Sequence, residues 1–269
     1  MKKYFEYFGL ITLICFSFFI TEQTVSVVKE VDDIMVQIKN NYLSYTKIGM
    51  DAIIFDGGII PGLNTKKVNI EKSYQKMKEK GVYDSNFYIY DSIPPNISIV
   101  NNFDKKIVSG NKSKKMVSFI FFVDDSSIGE LEKLVQIEIP INIIVEPYNI
   151  DKLIKFLGNN SQINILAIAD NNEEYTLIDT KLKSLNLKLN YCYSNLSNWC
   201  IKNKISTIKE KEIIESQPLL SAKKTLPNDN ILLFKLNNNV LKELPNIVQY
   251  VKTRGYRISL LDEHLSENW

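Results

Sequence analysis

Residues 116 to 259 alternate between short apolar runs and amphipathic segments, and that alternation restricts the chain more than any other feature. MVSFIFFV (116–123), INIIVEP (141–147), INILAIAD (163–170), LKLNYCYS (187–194), ISTIK (205–209), ILLFKL (231–236) and YRISLL (256–261) read as strands. Continuous apolar runs of this length suit strands covered on both faces. IGELEKLVQ, IDKLIKFLG, EEYTLIDTKLKSLN and ELPNIVQYVKTRG lie between them and read as helices, with Gly158 and Gly255 as stops. Strand and helix in turn predict an α/β architecture with a parallel sheet or barrel. Ser127 and Glu130 have the spacing of a capping box ahead of the first helix. SGNKSKK, residues 109–115, reads as a flexible linker in front of the first strand.

The first strand ends in two carboxylates, Asp124 and Asp125. Such a pair can take a proton from water and hold a cation, or simply sit near a helix N-terminus, where it is stabilising. Composition narrows the choice. His264 is the one histidine in 269 residues, so the chain cannot build a His-rich zinc centre. It falls in LLDEHLSE, on an expected terminal helix, as a surface residue. Thirty-three basic and 31 acidic side chains give a net charge of +2, too balanced for nucleic acid. Cys192 and Cys200 form no CxxC; they read as two separate buried thiols, with a bridge outside the cell as the alternative.

Upstream, MKKYFEYFGLITLICFSFFI has a basic start and an apolar run, and lacks small residues at a cleavage position. Residues 1–21 read as an uncleaved signal anchor, single-pass in the cell membrane, with 22–269 extracytoplasmic. A cleaved signal peptide is the alternative. Residues 22–50 form a helical stalk, in which Val25, Val28, Val31, Met35, Ile38 and Tyr42 recur every three or four positions. That seam suits a homodimer through residues 22–45 or a helix packed on its own domain, and its shortness favours the second. Residues 51–113 read as a small α+β module, with Asp56-Gly57-Gly58 turning between two apolar strands and Asn69 capping a helix over 70–80 that Gly81 stops.

VSFIFFVDD and ILLFKLNNNVLKELPNIVQYVKTRGYRISLLDEHLSE make residues 114–269 resemble the NodB-type polysaccharide deacetylases, most specifically at the C-terminal end. AIIFDGGIIPGLNTKKVNIEKSYQKMKEKG is similar to the N-terminal extension of their membrane-anchored relatives. The resemblance implies a distorted (β/α) barrel, with Asp124 as catalytic base and Asp125 as metal ligand. The family's other motifs are missing. The third strand has no His-x-x-x-His, and LNYCYSN has neither Arg nor Pro. Leu232-Leu233-Phe234 stands where Leu-Leu-His is expected. Asp170, Glu173 and Glu174 follow the third strand; a carboxylate-only centre built with them would suit Mg²⁺ or Ca²⁺ better than zinc.

The expectation is therefore an extracytoplasmic deacetylase-like protein that is catalytically degenerate and acts in glycan binding or envelope assembly, with no cofactor beyond a divalent metal. An active carbohydrate deacetylase with a rearranged carboxylate site, and a purely structural envelope protein, are the alternatives. Tyr148, Tyr191, Tyr193 and Trp199 lie near strand ends, where they would stack on sugars or serve simply as core or surface.

Overall fold

The computed structural model describes residues 12–17, 19, 29, 32–158 and 163–269. The chain divides into two compact units, Met1–Ile48 with Thr65–Ile93, and Gly49–Asn64 with Pro94–Trp269. Most of the expected membrane anchor lies outside the described residues, among which no helix is long and apolar enough to cross a membrane.

The smaller unit joins two helices and two antiparallel strands, Thr65–Val68 and Tyr90–Ile93. Asp32 opens the helix Asp33–Tyr45 by accepting from the Ile34 amide at 3.0 Å. Asn69 caps Ile70–Lys80 through the Lys72 amide at 2.9 Å, and Gly81 ends it at φ 70°. Ile38, Val68, Met77 and Tyr88 are the buried core, with Ile34 and Tyr42 packed against it. The described part of the apolar seam is thus used within its own unit; Val25, Val28 and Val31 lie outside the described residues.

The strands of the larger unit are β1 (Ile53–Phe55), β2 (Gly58–Ile60), β3 (Lys106–Ile107), β4 (Met116–Phe122), β5 (Ile141–Val145), β6 (Ile163–Ala167), β7 (Tyr191–Tyr193), β8 (Thr207–Ile208), β9 (Ile213–Ile214), β10 (Ile231–Lys235) and β11 (Arg257–Ile258). Its helices are α1 (Leu131–Val135), α2 (Ile150–Gly158), α3 (Asn172–Lys183), α4 (Asn198–Lys202), α5 (Pro218–Thr225), α6 (Asn238–Thr253) and α7 (Leu261–Leu265). The sheet runs β1-β2-β3-β8-β7-β6-β5-β4-β10-β9, parallel except for the β1–β2 hairpin. β4 is central. β10 pairs with Ser118–Phe122 and β11 with Met116–Val117, so the sheet forks around it.

Side chains alternate between two cores, as the period of two requires. Phe119, Phe121, Ile143, Ile165, Leu232 and Phe234 face the helices. Ile120, Ile144, Leu166, Ile208 and Leu233 fill the inner face together with Leu261 and Leu265 of α7. This is barrel-like packing on a mostly parallel sheet.

Two short elements, β9 and α5, were not legible as such in the sequence; Pro218 at the first turn opens α5. The segment 109–115 is no linker. Ser109, Gly110 and Asn111 are buried; the Gly110 amide donates to Asn230 Oδ1 at 2.8 Å, and Asn111 Nδ2 to the Pro61 carbonyl at 3.0 Å.

His264 is not on the surface. It is fully buried on α7, with Nδ1 2.9 Å from Ser118 Oγ. Ser118 Oγ donates to the Ser259 carbonyl at 2.9 Å, so it accepts from an Nδ1–H tautomer. Nε2 then carries a bare lone pair with no partner. Gly110 lies against it so closely that a Cβ would stand 2.0 Å away. Burial first, then the Lys114 and Lys211 charges, push the imidazole down to about 3.

The cysteines are not separate thiols either. Cys192 and Cys200 form a disulfide that ties β7 to α4, with Cα atoms 6.4 Å apart. The connecting residues double back through Ser194 at φ 65°, and Ser197 caps α4 through the Cys200 amide at 3.1 Å. That return brings residues eight apart in sequence together.

Candidate functional site

Asp124 and Asp125 follow β4, at the carboxyl end of the parallel sheet where such folds place their sites. Asp124 closes a tight polar turn. Its Oδ1 accepts from the amides of Ser126 and Ser127 at 3.0 and 3.1 Å and from both hydroxyls. Ser127 Oγ in turn accepts from the Asp124 amide at 3.0 Å. Ser127 is therefore occupied by Asp124, and the capping box with Glu130 does not form. The Ser126 hydroxyl first, with Ser127 and the Lys235 ammonium, holds the Asp124 carboxyl below the usual carboxylate range, against an opposing effect of burial.

The remaining oxygen of Asp124, Oδ2, lies 3.6 Å from Lys235 Nζ. Lys235 also stands 3.9 Å from Glu215. Asp125 is held by Lys152 of α2, which donates to its Oδ2. Each carboxylate of the pair thus has its own ammonium. Beside them Tyr148 donates to Glu146 Oε2 at 2.6 Å, and this bond, with burial, pushes the phenol up to about 12.

Sequence reasoning placed a missing catalytic acid at Phe234. Strand parity turns that position away from Asp124. Phe234 points to the helix-side core, 5.3 Å from Phe119 and 5.8 Å from Phe121 between ring centres. The next residue, Lys235, is the strand-end group that reaches Asp124. Lys152 was missed because its contact with Asp125 spans 27 residues and joins a helix to a remote loop.

Of the other candidates, Asp170 is held at the start of α3, its amide donating to Glu174 at 2.9 Å, and Asn171 caps the helix. Tyr191 and Tyr193 are buried in the inner core. Trp199 stacks on Tyr175 with centres 5.6 Å apart. Tyr148 alone of the four named aromatics is exposed.

A zinc ion does not fit this donor set. Among the described residues no three His, Cys, Asp or Glu side chains cluster to hold a metal. The buried imidazole of His264 is pinned by Ser118 within the core. Zinc binding would have to displace a lysine from each of Asp124 and Asp125.

A mostly parallel α/β sheet thus carries a carboxylate pair beyond the end of β4, each member facing an ammonium group. Comparison with known proteins shows which folds it resembles. No protein-family model matches the sequence. A 64-residue stretch is 39% identical to uncharacterized protein YlxY of Bacillus subtilis (strain 168), covering 24% of this chain and 20% of that protein. The match thus spans about a fifth of that relative's length. A wild-type CE4 family pseudoenzyme from Bacillus anthracis superposes with a TM-score of 0.66 at 15% identity, over 88% of this chain and 96% of that one. A mutant of the same pseudoenzyme with restored enzymatic activity gives a TM-score of 0.65 at 16% identity, over 88% and 99%. The chain therefore has the fold of a divergent NodB-type, CE4 polysaccharide deacetylase.

Proposed function

We propose that this chain is a deacetylase-like protein of the cell envelope that holds a glycan or a partner at the strand-end cleft without turning it over. The observation that carries this reading is the pairing of Lys152 with Asp125 and of Lys235 with Asp124. Deacetylation through a metal-bound water needs a base free to take the proton and ligands free to hold the ion. Here both carboxylates are neutralised by the protein itself. The Cys192–Cys200 bridge supports an extracytoplasmic location, since disulfides persist in oxidising compartments. The N-terminal apolar run supports a membrane anchor. The wild-type Bacillus anthracis protein of this fold is itself described as a pseudoenzyme, which agrees with loss of turnover in such a chain.

The test is to incubate the purified protein with N-acetylated glycan oligomers and to follow acetate release and binding in the same samples. Binding without acetate is the expected result. Acetate release that disappears in Asp124→Asn would replace this reading with that of an active carbohydrate deacetylase.

A further inference from the structure

The β1–β2 hairpin forms one wall of an open cleft of about 710 Å³, six strands along the sheet from β4. Its shape depends on two glycines. A Cβ on Gly58, at φ 138°, would stand 2.1 Å from the Lys106 carbonyl, so the turn lies flat on β3. A Cβ on Gly57 would meet the Phe55 ring at 2.8 Å and Lys209 Nζ at 3.3 Å. An aromatic edge and an ammonium therefore converge over one bare stretch of backbone.

The chemistry of the lining is mixed. Ile54 and Phe55 are exposed, although both are apolar and sit on an edge strand. Lys105 pairs with Asp104 at 3.1 Å. Lys106 and Lys209 have no carboxylate within ion-pair distance among the described residues. Asp56 completes the rim, so three ammonium groups face two carboxylates. One net positive charge suits a single anionic group and is too small for a polyphosphate. An exposed ring beside it suits the apolar face of a sugar, and the two carboxylates suit its hydroxyl groups.

We propose that this cleft binds a monoanionic sugar unit, a uronic acid residue within a glycan, with Lys106 and Lys209 on the carboxylate and Phe55 against the ring. The site is separate from Asp124 and Asp125, and the proposal stands whether or not the strand-end cleft holds a ligand. The volume has room for a short oligosaccharide.

The experiment titrates the full chain by calorimetry with tetragalacturonic acid, with its neutral methyl ester, with cellotetraose and with inorganic phosphate. The acid should bind, and the ester and cellotetraose at least about tenfold more weakly. K106Q/K209Q should lose at least about tenfold for the acid and keep its far-UV circular dichroism, since Lys209 is exposed and Lys106 only half-buried. Phe55→Ala should weaken the acid and leave phosphate unchanged. The proposal is overturned by any of four results: no binding of the acid, equal binding of acid and ester, phosphate binding as tight as the acid, or unchanged binding of the acid in K106Q/K209Q.

Discussion

Lys152 of α2 donates to the Oδ2 of Asp125, joining the helix after β5 to the loop after β4. Both side chains are half exposed, so the pair is worth less than about 1 kcal/mol to stability. Its importance is electrostatic and local. Together with Lys235 on Asp124 it places an ammonium group against each carboxylate of the pair.

Removing that charge should restore cation affinity. In Lys152→Met/Lys235→Met the two carboxylates lose their partners, and the divalent ion no longer competes with an ammonium. Magnesium or zinc binding, followed by calorimetry, is expected to tighten by about tenfold or more relative to wild type. Urea unfolding should shift by no more than about 1 kcal/mol. Equal affinity in the two proteins would show that the lysines do not control the site.

Phe234→His should not rebuild a catalytic acid. The ring lies between Phe119 and Phe121 in the helix-side core, and an imidazole there has no partner. The loss of packing and the buried polar nitrogens should cost about 2–4 kcal/mol, measured by urea denaturation at pH 7. A variant as stable as wild type would place the side chain elsewhere.

His264 makes the fold acid-sensitive. Its folded pKa, about 3, lies below the ordinary value near 6.5, so the unfolded chain takes the proton first. The stabilisation is fully present above about pH 6.5 and falls by about 1.4 kcal/mol per pH unit towards 3. Unfolding at pH 7 and pH 5 should therefore differ by about 2 kcal/mol in wild type, and His264→Gln should abolish most of that difference. Gly110→Ala should destabilise by about 3 kcal/mol, because its methyl group overlaps Nε2, and adding His264→Ala should recover part of the loss.

These two residues also show where sequence reasoning stops. The apolar runs of β4, β5, β6 and β10 are legible because strands covered on both faces tolerate few polar residues. Asn69 and Gly81 announce their helix ends by local chemistry alone. His264 carries no such signal. Its burial comes from α7 closing the inner core against Ser118, a contact 146 residues apart in sequence. The polar stretch 109–111 looks like a linker for the same reason, since its partners Asn230 and Pro61 are remote. At the candidate site the aspartate pair was readable from its place at a strand end. Which of Phe234 and Lys235 faces it was not, because a shift of one residue exchanges the two faces of a strand.

The disulfide closes a short loop between β7 and α4. Cys192→Ser/Cys200→Ser should lower unfolding free energy by about 2–3 kcal/mol through the freed entropy of the unfolded chain. Thermal unfolding of wild type with and without reductant should show the same loss, and the variant should not respond to reductant.

The central claim is that this deacetylase fold has exchanged its metal for its own ammonium groups. Calorimetric titration of the purified protein with Zn²⁺, with Asp125→Ala as control, tests it most directly. The account predicts no stoichiometric heat of binding for either protein at near-millimolar metal. One zinc per chain in wild type, absent in Asp125→Ala, would contradict it and identify a working metal centre.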